Sequence, residues 1–270
     1  LMKEEKNEMS FLGHLEELRW HLVRSAAAIF IIGILLFVFQ KEVFNHFLLA
    51  HRNSDFITYQ IFCDFFNLFG MDSTFCNVAF TDNLISLKPT QQLMTAIWSS
   101  LILGIILAFP YLLWELWRFI SPGLTKKEIK SSRGFMFIAS FLFFCGIAFS
   151  FYVIAPISIH FLYNYKISDV IQNNFTLESH IGLVTNMLLG VSVLFELPVL
   201  VYFLTKIGLV TPEFLKTYRK HALVLVLILA AIITPPDVAS QIIVAIPILV
   251  LYEISIKVSR MVIKKQKKDA

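Results

Sequence analysis

Residues 181–205 read IGLVTNMLLGVSVLFELPVLVYFLT, an apolar run of 25 residues with a single charged side chain, Glu196. About 20 apolar residues in a helix are enough to cross the ~30 Å hydrocarbon core of a bilayer. An ionised carboxylate at that depth is costly, so such residues usually face a partner, a water-filled cavity or a substrate. Pro198 lacks a backbone donor and predicts a kink beside the glutamate. Glu196 is therefore a candidate functional residue.

The composition excludes an ordinary soluble domain, because 57% of the 270 residues are hydrophobic and the mean hydropathy is +0.72. We predict an all-α polytopic membrane protein with six transmembrane helices, the last two of them short. The fifth segment would span only ~20 Å, and the sequence Thr234-Pro235-Pro236-Asp237 forces a turn directly after it. The predicted segments are residues 23–40, 93–114, 135–160, 181–205, 222–234 and 238–256.

Basic residues are distributed unevenly between the predicted loops. The termini and the loops after the second and fourth segments hold 19 of the 23 Lys and Arg residues. Cytoplasmic loops carry the excess of Lys and Arg, so both termini are expected in the cytoplasm. The net charge is only +4, which does not indicate a basic nucleic-acid-binding surface. We therefore expect no nucleic-acid partner.

We treat residues 1–270 as a single integral membrane domain with three pieces outside the segments. Residues 1–22 form an amphipathic cytoplasmic N-terminus, in which about residues 9–22 are predicted to be an interfacial helix that leads into the first segment. Residues 41–92 form an outer loop long enough to be a cap, within which short helices fit the sequence. Residues 257–270 form a basic cytoplasmic tail.

The cysteines give no sign of a metal site. Cys63 and Cys76 lie in the outer loop, and Cys145 lies in the third segment. In an oxidising compartment Cys63 and Cys76 can form a disulfide, although two free buried thiols fit the sequence equally well. The sequence has no CxxC spacing and no His cluster, so we expect no metal and no cofactor.

Two acid-bearing patches lie on the predicted cytoplasmic side. The first, residues 13–19, reads GHLEELR, and the second, residues 109–128, reads FPYLLWELWRFISPGLTKKE. On pattern alone Glu17 can form an i,i+4 pair with His21, and Glu128 can pair with a neighbouring lysine. The alternative is that both acids bind a partner.

Four motifs occur in a fixed order along the chain. HLEELR precedes the first segment, FPYLLWELWRFISPGLTKKE follows the second, FELP lies in the fourth, and TPPDVASQ separates the fifth from the sixth. Together they resemble the TatC family, the core membrane component of the twin-arginine protein translocase. The resemblance covers roughly residues 10–260, and it implies a multi-pass protein of the bacterial cytoplasmic (inner) membrane with a concave face.

The resemblance also implies a function and a site. TatC-like proteins bind the signal peptides of folded proteins, which carry two consecutive arginines, and they nucleate a translocon driven by the proton-motive force. Glu17 and Glu128 match the two cytoplasmic acids implicated in this recognition, with Arg19, Phe119 and Pro122 beside them. A guanidinium group binds a carboxylate through charge-assisted, often bidentate hydrogen bonds that lysine cannot reproduce.

Glu196 matches the intramembrane acid of the family, which implies a docking point for partner helices. The implied partners are TatA-like and TatB-like single-span proteins and other TatC copies. We expect the Glu196 carboxylate to meet Gln241, Ser192 or a group from another subunit. Gln241 and Asp237 match the TPPDxxSQ motif, although Gln241 can equally join two helices and Asp237 can cap the turn.

Two other function classes fit parts of the sequence. A proton-coupled small-solute transporter could use Glu196 as its proton carrier, although the sequence shows no paired broken helices in two related halves. An intramembrane hydrolase would need HExxH, GxSxG or paired membrane-embedded aspartates, and the sequence has none of these. We therefore do not expect an enzyme. A receptor requires Glu17 and Glu128, whereas a transporter tolerates their loss.

Overall fold

The chain folds as a bundle of α-helices, which confirms the predicted all-α class. The computed structural model describes residues 11–68, 76, 83–121, 126–168, 170, 173–234 and 238–269. Within these residues the helices are α1 Phe11–Val38, α2 Gln40–Val43, α3 Ile57–Leu68, α4 Gln91–Ile120, α5 Lys126–Phe149, α6 Ala155–Asn164, α7 Leu177–Phe195, α8 Leu197–Lys206, α9 Pro212–Thr217, α10 Arg219–Ile233 and α11 Val238–Asp269.

Local sequence signals fix several helix ends. The hydroxyl of Thr176 accepts a hydrogen bond from the backbone N–H of Ser179 at 3.2 Å and caps α7. The hydroxyl of Thr211 caps α9 in the same way through the N–H of Phe214 at 3.2 Å. Gly208, after α8, has a φ of 80°, a conformation that glycine adopts without steric cost.

Five stretches of the described residues are long and apolar enough to cross a membrane. They are Leu15–Val38, Gln91–Ile120, Met136–Asn164, Leu177–Lys206 and Ser240–Lys267. The fifth predicted segment falls on α10, whose 15 residues cover about 22 Å. The predicted interfacial helix is continuous with the first span, because α1 runs unbroken from Phe11 to Val38.

The expectation that the last two helices are both short is wrong for α11. This helix runs for 32 residues and takes in the predicted basic tail. The tail stays helical because it packs on α8. The hydroxyl of Thr205 donates to that of fully buried Ser259 at 2.9 Å, and Nε2 of Gln266 donates to the carbonyl of Lys206 at 3.0 Å.

α1 and α4 approach each other closely at two glycines. A Cβ on Gly104 would lie 2.9 Å from the carbonyl oxygen of Ile29 and 3.2 Å from Cα of Gly33. Small residues at such contacts let membrane helices pack by van der Waals contact, since lipid gives no hydrophobic force between them. The rest of α1 is largely exposed, as expected of a helix that faces lipid.

The fourth predicted segment is broken at Glu196, which confirms the kink predicted there. α7 ends at Phe195 and α8 begins at Leu197, with Pro198 in the first turn of α8. The hydrophobic core lies beside this break. Fully buried side chains of α5, α7 and α11 meet there, among them Phe143, Val191 and Ile248.

The cap packs on the π-helical turn Ser150–Ile154, which joins α5 to α6. His51 is fully buried, and its Nε2 lies 2.8 Å from the carbonyl oxygen of Phe151. The hydroxyl of Tyr59 donates to the carbonyl of His51 at 2.8 Å. Burial lowers the pKa of His51 from 6.5 to about 4, so this histidine is neutral in the folded cap at neutral pH.

Two further links hold the cap together. A disulfide joins Cys63 to Cys76, with 4.8 Å between the Cα atoms. The N–H of Ile85 donates to the carbonyl of Phe175 at 3.1 Å, and the carbonyl of Ile85 accepts from the N–H of Leu177 at 3.0 Å. These backbone bonds attach the end of the cap to the start of α7.

Candidate functional site

A buried carboxylate, Glu115, connects α1 to α4. The residue is only 1% exposed. Its Oε2 is hydrogen-bonded to Nδ1 of His21 on α1, and its Oε1 accepts a hydrogen bond from the Tyr111 hydroxyl at 2.8 Å. An ion removed from water requires such partners, because its desolvation is otherwise uncompensated. Glu115 and His21 therefore form a polar link between two apolar helices.

Two arginines flank this link from the solvent side. Arg24 lies 3.8 Å from Oε2 of Glu115, and Arg118 lies 3.9 Å from Oε1. Their side chains are 46% and 48% exposed, so each pair contributes at most about 1 kcal/mol. We call this group the Glu115 cluster; it consists of Glu115, His21, Tyr111, Arg24 and Arg118.

Two of the predicted site residues lie next to the Glu115 cluster. Glu17 is one helical turn before His21 on α1, and Phe119 is one turn after Glu115 on α4. The rings of Phe119 and His21 meet edge to face, with 6.1 Å between their centroids. Oε2 of Glu17 is enclosed and has no hydrogen-bond partner within the described part of the chain. Nδ1 of His21 binds Glu115 and not Glu17.

The remaining predicted residues of this patch are described only in part. Arg19 is exposed, and its guanidinium lies 5.6 Å from the centre of the Trp20 ring. Glu128 falls in the first turn of α5, but its side chain lies outside the described residues. Pro122 lies outside them as well. The structure thus describes the α1–α4 half of the predicted site.

Glu196 does not meet the partners expected within the chain. Both of its carboxylate oxygens are enclosed and lack a hydrogen-bond partner among the residues described. Nε2 of Gln241 donates to the carbonyl of Leu227 at 3.0 Å, which joins α11 to α10. The hydroxyl of Ser192 donates to the carbonyl of Leu189 within α7. The expected pairing of Glu196 with Gln241 or Ser192 is therefore wrong. Asp237 lies outside the described residues.

Comparison with known proteins settles the family. The family model for the Sec-independent protein translocase protein (TatC) matches residues 13–247. This chain belongs to the TatC family. A TatC of Blattabacterium sp. subsp. Periplaneta americana is 40% identical over 98% of this chain and 100% of its own length. A TatC of Helicobacter pylori strain J99 is 38% identical over 92% of this chain and 88% of its own. The TatCy protein of Bacillus subtilis strain 168 is 31% identical over 98% and 94%.

Solved TatC structures share the fold. A crystal structure described as the twin arginine translocase receptor TatC is 30% identical, with a TM-score of 0.67 over 92% of this chain and 99% of that one. A second, of the same receptor in DDM, is 31% identical, with a TM-score of 0.69 over 90% and 97%. The resemblance to the TatC family is confirmed. The family acts in protein transport, and the small-solute transporter alternative is not supported.

Glu115 is a residue of the candidate site to which the sequence analysis assigns no role, although it lies within the second motif. The predicted second segment ends at residue 114, one residue before it. α4 in fact continues to Ile120 and carries Glu115 into the packed interface with α1. The available signal was a lone carboxylate inside the aromatic run FPYLLWELW.

Proposed function

We propose that this TatC-family protein is the core receptor of a twin-arginine translocation system. It binds the twin-arginine signal peptides of folded cargo where α1 meets α4, and it nucleates the translocon that the proton-motive force drives. It is not an enzyme. The observation that carries the site is Oε2 of Glu17, an enclosed acceptor beside the Glu115 cluster to which no described residue donates. A guanidinium of the peptide supplies that donor through a charge-assisted hydrogen bond.

A pair of arginines requires a second acceptor, and we assign this role to Glu128. Glu128 lies in the first turn of α5, a few residues beyond the end of α4 that carries Phe119. Phe119 and Pro122 shape the site between the two acids, and Arg19 borders it on the exposed side of α1. Two separate carboxylates explain how a receptor selects two consecutive arginines over one.

We assign the protein to the bacterial cytoplasmic membrane, with six crossings and both termini in the cytoplasm. The five apolar spans and the excess of Lys and Arg at the termini and two loops support this orientation. α10 supplies the remaining crossing. A transmembrane helix this short must either thin the bilayer locally or be covered by protein. α10 packs against α11, which covers part of its surface.

Glu196 is the proposed docking point for partner helices. Its two unpaired oxygens leave a carboxylate that the described residues do not satisfy. A polar group from a TatA-like or TatB-like single-span protein, from another TatC copy or from the inserted signal peptide would compensate it. Gln241 and Asp237 belong to the same proposed docking face.

Site-specific crosslinking of a twin-arginine signal peptide in membranes tests the receptor assignment. Glu17→Ala and Glu128→Ala should each weaken the crosslink, because each removes one guanidinium acceptor. Glu16→Ala provides a matched control, since Glu16 is an exposed neighbour on the same helix. Crosslinking at the wild-type level in both variants would refute the recognition site.

A further inference from the structure

We infer that Glu115 is a positioning residue for the proposed receptor: through His21 it holds Glu17 where a signal-peptide arginine meets it. This inference rests on the proposed function. It gives a role to a residue of the second patch that does not itself bind the peptide, and it predicts which part of recognition depends on that residue. The geometry of two helix faces carries the argument.

Glu17, His21 and Arg24 lie on one face of α1, because residues four and seven positions apart in a helix point the same way. Tyr111, Glu115 and Phe119 share one face of α4 for the same reason. The His21 ring contacts both Glu115 and Phe119. Glu17 is thus one turn from the point at which α1 is attached to α4.

His21 is the main attachment at this end of α1. Of residues 15–24, His21 is the one that is buried, and its neighbours are exposed or partly exposed. The glycine contact of Gly104 with Ile29 and Gly33 lies two turns further along the helix. Among the described side chains of residues 15–24, the His21–Glu115 bond is therefore the buried contact that ties the turns carrying Glu17 to α4.

Glu115 itself is unsuited to bind the peptide directly. It is almost fully buried, and both of its oxygens already have donors in His21 and Tyr111. Its effect on recognition is therefore exerted through the position of Glu17. Selection of arginine over lysine depends on the geometry of the guanidinium fork, whereas a point charge tolerates displacement. Loosening α1 should therefore reduce the preference for Arg-Arg over Lys-Lys as well as the affinity.

The test uses the full chain in detergent and two fluorescent synthetic signal peptides, one with Arg-Arg and a matched one with Lys-Lys. Glu115→Ala should weaken Arg-Arg binding about tenfold and should reduce the preference over Lys-Lys. His21→Phe, which fills the space without the bond, should reproduce that loss. Glu115→Gln keeps an acceptor oxygen for His21, and its NH2 group can donate to the Tyr111 hydroxyl with the direction of that bond reversed. It should therefore bind within about threefold of wild type. Glu253→Ala, which removes an exposed carboxylate paired with Arg219 at 2.8 Å, is the control.

A double-mutant cycle separates positioning from an independent contribution. If Glu115 acts through Glu17, adding Glu115→Ala to Glu17→Gln should cost less than about twofold. A fully additive loss would overturn the inference, as would wild-type binding and preference in both Glu115→Ala and His21→Phe. In either case a defective Glu17→Gln variant leaves the proposed function intact. Equal wild-type affinity for the two peptides would instead refute the proposed function, and the inference with it.

Discussion

Glu115, Glu17 and Glu196 each have at least one enclosed carboxylate oxygen, and they differ in whether the described residues supply that oxygen with a donor. Both oxygens of Glu115 are hydrogen-bonded, one oxygen of Glu17 has no partner, and neither oxygen of Glu196 has one among the described residues. A buried acceptor without a donor costs about 1–3 kcal/mol. This difference supports our proposal that Glu115 positions its neighbours, whereas Glu17 and Glu196 receive donors from outside the chain.

Glu196→Gln is expected to separate binding from transport. Signal-peptide crosslinking should remain near the wild-type level, because the proposed recognition site is formed by α1, α4 and the start of α5, whereas Glu196 lies at the break between α7 and α8. Export of a folded reporter should fall about tenfold or more, because the amide has one acceptor oxygen where the carboxyl group has two, and a buried partner left without its hydrogen bond costs about 1–3 kcal/mol. Glu213→Gln, at an exposed carboxylate, is the matched control. Wild-type export by Glu196→Gln would make the intramembrane acid purely structural.

His51 is expected to make the cap sensitive to acid. Its pKa is lowered from 6.5 to about 4 by burial, so between these values the unfolded cap binds a proton that the folded cap does not. Stability should therefore fall as the pH drops through this window, by up to about 3 kcal/mol. The Phe151 carbonyl that contacts its Nε2 is uncharged, and the titratable group that interacts with it electrostatically is His180 on α7, which also interacts with Arg52.

Hydrogen exchange of the cap at pH 7, 5.5 and 4.5 measures this effect. His51→Phe should flatten the dependence on pH, whatever its effect on stability at pH 7. His46→Phe removes an exposed histidine of the same segment and should leave the dependence unchanged. Identical pH profiles for wild type and His51→Phe would contradict the assignment.

Single close contacts between helices determine how the elements pack. α1 meets α4 through Gly104 and Gly33, and α5 meets α7 at Gly146, where a Cβ would lie 2.7 Å from Cα of Ser192. Polar bonds then fix the register, as the Glu115–His21 and Thr205–Ser259 bonds do. The close glycine contacts and the interhelical hydrogen bonds both depend on short distances, so one added methyl group can disturb them.

Gly104→Ala should destabilise the protein by about 1–3 kcal/mol, because the new Cβ would meet the backbone of α1. Gly182→Ala is the matched control, since a Cβ on this α7 glycine has no heavy atom within 4 Å. The control should gain up to about 1 kcal/mol from the better helix propensity of alanine. Thermal unfolding of both variants in detergent measures the difference. Equal stability of the two variants would contradict close packing at Gly104.

The whole molecule depends on α10 for its topology. An even number of crossings requires α10 to traverse the membrane despite its 15 residues. Because α11 is continuous to Asp269, the position of the C-terminal end reports directly on whether α10 crosses. An experiment that locates the C-terminal end of α11 therefore tests the membrane orientation and the crossing of α10 at the same time.

Cysteine labelling from either side of the membrane tests this topology. Lys166, Lys216 and Lys264 are exposed and can each be replaced by cysteine in a chain whose own cysteines are serine. With six crossings, cysteines at 216 and 264 should react only after permeabilisation, and a cysteine at 166 should react from outside. Labelling of 216 and 264 from opposite sides would exclude a transmembrane α10.

The sequence by itself determined the membrane class, the helical segments, the kink at Glu196 and the family. These features follow from runs of apolar residues, from proline chemistry and from motifs that are local in the chain. Only the tertiary structure decided which polar groups meet. His21 and Glu115 are 94 residues apart in sequence. No local pattern shows that His21 binds this distant acid and not Glu17, which lies one helical turn before it.

The length of α11 and the lack of a partner for Glu196 among the described residues have the same explanation. Thr205 lies far from Ser259 in sequence, and their contact supports the tail as a helix. The sequence motif predicts that Gln241 is a partner of Glu196. In the folded chain, α11 packs beside α10, and the amide of Gln241 donates to the carbonyl of Leu227 on α10. Long-range packing decides such choices, because a hydrogen bond requires contact within about 3 Å and sequence spacing does not specify that distance.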